Sequence, residues 1–172
     1  MGDFFDCILE FLSSLMLFVD SIVYPLCIWH LHVARLLLQM SSDQDALVAA
    51  LLHDTIEDTP FSIEQVTYQY GRAVACIVQK VTNLTSFVKK TQCTPAYVKE
   101  QLASYHDPRV VMVKLADRLH NLQTLQYHSP AKQQQIREET LHFYIPLGKS
   151  LKLPLVDQFV LQLEKMCHGS SR

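Results

Sequence analysis

His53-Asp54-Thr55-Ile56-Glu57-Asp58 sets one imidazole and three carboxylates within six residues. On a helix, Glu57 lies one turn from both His53 and Asp54, and Asp58 lies one turn from Asp54. Like charges at that spacing repel, so something positive has to offset them, and a divalent metal ion does so. A second polar set is Lys114, Asp117, Asn121 and Thr124, at spacings of 3, 4 and 3 among Val111, Met112, Leu115, Leu119 and Leu122. Such a stripe is ordinarily a solvated face. The strongly apolar surroundings here make a stripe facing a site the competing reading. Arg118 reads as a structural ion-pair partner rather than a reacting group. Imidazole mixed with carboxylate suits Mn²⁺, Fe²⁺, Zn²⁺ or Mg²⁺, and oxygen-rich sets lean toward the harder ions.

The elements that carry these residues read as helices throughout. Ser41 and Ser42 are placed to cap a helix beginning near Asp43, with Leu47, Ala50, Leu51 and Ile56 as its apolar stripe and Thr59-Pro60 as its end. Ser62 with Gln65 forms a capping box, and Phe61 with Val66 the accompanying staple, for a short helix ending near Gly71. Val74, Ile77, Val81 and Leu84 mark the next helix, and Pro95 opens another carrying Tyr97, Val98 and Leu102. Asp107-Pro108 begins a long helix through about Leu125. Ser129-Pro130 begins one that Pro146 kinks or ends, and Pro154 begins the last. With no convincing alternating strand, the architecture is all-α, an irregular bundle of roughly eight to ten helices with mostly short connections.

The bulk numbers agree. At 172 residues, with 49% apolar and 19% charged, the chain has the composition of one compact domain. A net charge of −2 and the lack of any long basic run argue against a nucleic-acid partner. Cys7, Cys27, Cys76, Cys93 and Cys167 are odd in number and widely spaced, as befits reduced thiols in a cytoplasmic protein. Residues 8–29 are apolar enough to approach the roughly 20 residues of a membrane span. Glu10, Asp20 and Pro25 interrupt them, so a buried helix is the first reading and membrane association the second. Asp3 and Asp6, with no positive n-region, are unlike a signal peptide.

The combination is specific enough to place. ALLHDTIEDT together with VVMVKLADRLHNLQTL resembles the HD hydrolase domain of the Rel/Spo enzymes that make and degrade (p)ppGpp. FSIEQVTYQYGRAVACIVQKVTNL and REETLHFYIPLGKSLKLPLVDQFVLQLEKMC are similar to segments that follow the acidic motif and close that domain. The likeness runs over about residues 25–168, within a single domain spanning 1–172 whose residues 1–24 form a divergent apolar helix. It implies one Mn²⁺ held between two histidines and two aspartates, and cleavage of the 3′-pyrophosphate of (p)ppGpp to GDP or GTP plus pyrophosphate. His53, Asp54 and Asp117 fall on three metal-ligand positions. Glu57 and Asp58 fall on the acidic pair that handles the attacking water, Glu57 the first choice. Asn121 and Thr124 fall on positions that contact the nucleotide. The chain stops where the family's synthetase domain would start, so alarmone synthesis by these residues is not expected.

Two departures from the pattern matter. The family places a histidine and a proline four residues ahead of a Val-Ala pair, whereas counting back from Val33-Ala34 falls on Trp29. A one-residue insertion between Pro25 and His30 brings His30 to the ligand position; His32, or no histidine at all, are the alternatives. Upstream, residues 1–28 contain no Lys, Arg or His, so the basic clamp on the guanine is missing. Two further readings therefore stand beside the alarmone hydrolase: an HD phosphohydrolase on another nucleotide, and a catalytically weakened nucleotide-binding module. The sequence is silent on oligomeric state.

Overall fold

The computed structural model describes residues 23–90 and 107–168, and among them every regular element is helical and no strand occurs. In chain order these are α1 Val23–Leu37, α2 Gln44–Leu52, α3 Thr55–Asp58, α4 Ile63–Lys90, α5 Pro108–Gln123, a 3₁₀ turn Leu125–Tyr127, α6 Pro130–Glu139, a π-helical turn Thr140–Tyr144, α7 Ile145–Ser150 and α8 Pro154–His168. The apolar helix expected over 1–24 and the helix expected from Pro95 lie outside the described residues. Among the described residues no helix is long and apolar enough to cross a membrane.

Local chemistry sets the ends. Asp43, not Ser41 or Ser42, caps α2: its carboxylate accepts from the Ala46 N–H at 2.8 Å, and a negative charge suits the positive end of the helix dipole. Ser41 acts one step earlier, its hydroxyl accepting from the Asp43 N–H at 3.1 Å. The capping box before α4 forms in both directions, Ser62 N–H to Gln65 Oε1 at 2.8 Å and Gln65 N–H to Ser62 Oγ at 3.4 Å. Gly71 adopts φ 86°, ψ 167° and kinks α4. A Cβ there would meet open space, so the position calls for glycine because of its backbone and not for lack of room. Pro146 has no N–H to offer the carbonyl one turn back, and the helix widens into the π turn just before it.

One expectation needs correcting. The helix capped near Asp43 does not run unbroken to Thr59; it stops at Leu52, and a turn at His53-Asp54 separates it from the short α3. The turn leaves the Glu57 and Asp58 N–H groups on the Asp54 carbonyl at 3.0 and 2.9 Å. The acids thus keep helical neighbours while the His53 side chain turns into the interior.

α5 is the axis. Every residue from Val110 to His120 is buried, and the helix packs against α1, α2, α4, α6, α7 and α8. A helix surrounded in this way needs no single apolar stripe, so polar groups within it meet other protein groups or line an internal cavity. Its contact with α7 and α8 is tight. A Cβ on Gly148 would sit 2.6 Å from Val160 Cγ2 and 3.1 Å from Leu115 Cδ1. Helix propensity alone favours alanine over glycine by about 1 kcal/mol, but overpacking costs about 1–3 kcal/mol. Gly148→Ala is accordingly expected to lose about 1–2 kcal/mol in denaturant melts, and a variant as stable as the parent would show that α7 moves aside freely.

Candidate metal centre

α1, the turn after α2, and α5 converge on one buried cluster. α1 carries His30 on the same face as Val33, Ala34 and Leu37, all of them buried, at the i, i+3, i+4, i+7 spacing of a helix. That face places the His30 ring against the His53 ring, centroids 4.9 Å apart and nearly perpendicular. The ligand atoms of His30, His53 and Asp54 all lie within 4.8 Å of one another. Asp117, from the middle of α5, brings Oδ1 to 3.7 Å from His53 Nε2.

The backbone orients the His53 ring. His53 Nδ1 lies 2.7 Å from the Ala50 carbonyl, which can only accept, so Nδ1 bears the hydrogen and Nε2 turns to the cluster. His53 Nε2 and His30 Nε2 are both buried without a hydrogen-bond partner. Asp54 Oδ2 approaches the former to 3.0 Å, but not with hydrogen-bond geometry. Burial, with the neighbouring His53, pushes His30 down to about 4, so it is a neutral donor at pH 7. Burial opposes charge on His53 too, but the Asp54 and Asp117 carboxylates prevail and push it up to about 10. His53 in turn holds Asp54 below its usual range against the effect of burial. The cluster thus draws positive charge inward, and two imidazole nitrogens without hydrogen bonds beside two carboxylates are a donor set that fits a divalent cation.

Beside the cluster opens a cavity of about 200 Å³, lined by Trp29, Asp54, Glu57, Asp58, Lys114, Asp117, Arg118, Asn121, Lys132, Glu139 and Tyr144 among others. Of the residues singled out from sequence, His30, His53, Asp54 and Asp117 come together, and Glu57, Asp58 and Asn121 join Asp54 and Asp117 in the wall. Asn121 donates through Nδ2 to Asp117 Oδ1 at 2.8 Å. Thr124 lies a turn further on, its hydroxyl donating to the His120 carbonyl at 3.0 Å. His32 is exposed and meets His120 instead, ring centroids 5.3 Å apart. Arg118 pairs with Glu139 at 3.1 Å and lies 4.2 Å from the Tyr144 ring centroid, the structural partnership read from sequence, though it also lines the cavity.

Sequence reasoning missed the wall supplied by Trp29, Lys132, Glu139 and Tyr144. For the last two the signal was at hand, since Glu139 and Tyr144 lie in the REETLHFYIPLG segment already similar to the family. Trp29 carries no signal in the sequence beyond its place at the histidine position of the family pattern. Lys132 lies on α6 among glutamines and gives no periodic signal.

Fold and cluster together define an all-α domain organised around a histidine–aspartate pair and a distant aspartate. The chain belongs to the HD domain family, whose profile matches residues 25–153. Among curated relatives, the guanosine-3′,5′-bis(diphosphate) 3′-pyrophosphohydrolase of Aquifex aeolicus is 39% identical over 127 residues, covering 74% of this chain and 18% of the relative. The protein of that name from Haemophilus influenzae is 43% identical over 122 residues, covering 69% and 18%. The bifunctional (p)ppGpp synthase/hydrolase SpoT of Escherichia coli K12 is 40% identical over 122 residues, covering 69% and 17%. The chain therefore spans less than a fifth of these relatives. A solved structure, described as a metazoan ortholog of SpoT that hydrolyzes ppGpp and plays a role in starvation responses, matches with a TM-score of 0.68. Its identity is 25%, over 99% of this chain and 97% of that one.

Proposed function

We propose that residues 1–172 act as one cytoplasmic hydrolase domain that removes the 3′-pyrophosphate of (p)ppGpp, giving GDP or GTP plus pyrophosphate, with one Mn²⁺ held by His30, His53, Asp54 and Asp117. The observation that carries this reading is the convergence of two buried imidazole Nε2 atoms, neither hydrogen-bonded, with the Asp54 and Asp117 carboxylates at the edge of a cavity. Relatives named for this reaction, and a neighbouring fold described as hydrolysing ppGpp, support the choice of substrate.

When bound, the ion supplies Lewis acidity toward a phosphoryl oxygen and lowers the pKa of water. The rest falls to side chains. Glu57, ahead of Asp58, orients the attacking water and takes its proton. Asn121 and Thr124 contact the nucleotide on its ribose and phosphate side. Lys114, Asp117 and Tyr144 are themselves buried in this wall, which strengthens the charge interactions within it.

The test incubates the purified chain with ppGpp, with and without Mn²⁺, and follows GDP and pyrophosphate. Equal amounts of both, appearing only with Mn²⁺, are expected. Orthophosphate in place of pyrophosphate would transfer the chain to the phosphohydrolases of other nucleotides, and nucleotide binding without turnover would make it a binding module.

A further inference from the structure

Lys114 has no role in the reading above, and its surroundings are unusual for a lysine. Its side chain is 3% exposed, on the axial helix, with Nζ 2.8 Å from Asp117 Oδ2. Asn121 Nδ2 donates to the other oxygen, Oδ1, at 2.8 Å and to the Asp117 backbone carbonyl at 2.9 Å. The carboxylate is thus gripped at both ends by residues three before and four after it on one helix. Oδ1 is the oxygen that lies toward His53, at 3.7 Å. Oδ2 is taken up by the ammonium.

We propose that Lys114 is a positioning residue of the metal centre: its ammonium holds Asp117 Oδ2 and leaves Oδ1 as the oxygen turned to His53, and it keeps a fixed positive charge next to the ion. The inference rests on the metal site proposed above. Two consequences follow from geometry and charge. A carboxylate tied back through one oxygen cannot swing round to grip a cation with both. An ammonium in contact with a ligand also draws electron density from that ligand and repels the ion. Both effects weaken the hold on the metal, and both leave it more electrophilic toward a phosphoryl oxygen. Lys114 in this role exchanges binding strength for reactivity. A lysine serving only to neutralise a buried aspartate would do the opposite on removal, loosening the site and the fold together.

The experiment measures Mn²⁺ affinity by the electron paramagnetic resonance signal of the free ion, for the whole chain and without nucleotide, alongside kcat for ppGpp. Lys114→Met keeps the length of the stem and removes the charge. Its Mn²⁺ affinity is expected to rise about tenfold, while kcat falls on the order of a hundredfold. Lys114→Arg, which retains the charge, is expected to bind Mn²⁺ like the parent. Should the Met variant fail to fold, Lys114→Gln, neutral but still able to donate, carries the same expectation. Affinity in the neutral variant that is unchanged or weaker overturns the proposal. A parent chain that binds no Mn²⁺ overturns it together with the metal site. A parent that binds Mn²⁺ but leaves ppGpp intact overturns only the choice of substrate, and the affinity comparison still decides the role of Lys114.

Discussion

Asp54→Ala is expected to abolish both metal retention and pyrophosphate release. Among the described residues Asp54 is the one carboxylate whose oxygen groups with both imidazoles within 4.8 Å, and it also lines the cavity, so one substitution removes a ligand and a charge from the place where both matter. Turnover should fall by about a thousandfold or more, which corresponds to roughly 4 kcal/mol of barrier. Metal content after gel filtration should fall with it. The fold should survive, because the carboxylate is partly open to solvent at 27% exposure and belongs to a turn and not to the axial helix. A variant that still holds Mn²⁺ and hydrolyses ppGpp at the parent's rate would remove Asp54 from the mechanism.

The second large effect separates two histidines that sequence alone left in competition. His30→Ala should weaken Mn²⁺ binding by about a hundredfold or more, since even partners one shell further out are worth about 10–100-fold. His32→Ala should leave binding within about twofold of the parent, the behaviour of an ordinary surface substitution. The contrast comes from where α1 points the two rings. His30 is buried against His53 with an unpartnered Nε2, while His32, two residues on, is exposed beside His120. Calorimetric titration of Mn²⁺ into both variants decides it; a loss confined to His32→Ala would mean that α1 turns its other face to the site.

Much of this was legible in the residues. His30 was reached only through a one-residue insertion against the family pattern, with His32 or no histidine as alternatives; its shared buried face with Val33, Ala34 and Leu37 is what the structure adds. The His53-Asp54 pair and Asp117 stood out because carboxylates within apolar sequence need a partner. The break at His53-Asp54 was not legible: no glycine or proline marks it, and the turn is fixed by the His53 ring entering the core and by its bond to the Ala50 carbonyl. Nor was the depth of Lys114. A lysine in a stripe with Asp117 and Asn121 looks like a solvated face, and only a helix packed on every side forces its ammonium onto a carboxylate. Thr124 kept the spacing of that stripe while its hydroxyl bonded to its own helix, since side chains near a helix end compete for the last carbonyls.

The axial helix also constrains how such a protein changes over generations. From Val110 to His120 no position faces solvent, and the same stretch carries Lys114 and Asp117. A substitution there that adjusts chemistry also disturbs packing, so a lineage has few neutral steps along α5 and little freedom to drift. Another part of the cavity wall comes from α1 and α6, whose Trp29, Lys132 and Gln135 line it but are only half-buried or exposed. That part of the wall can change without endangering the fold, which makes it the natural place to vary what the cavity accepts.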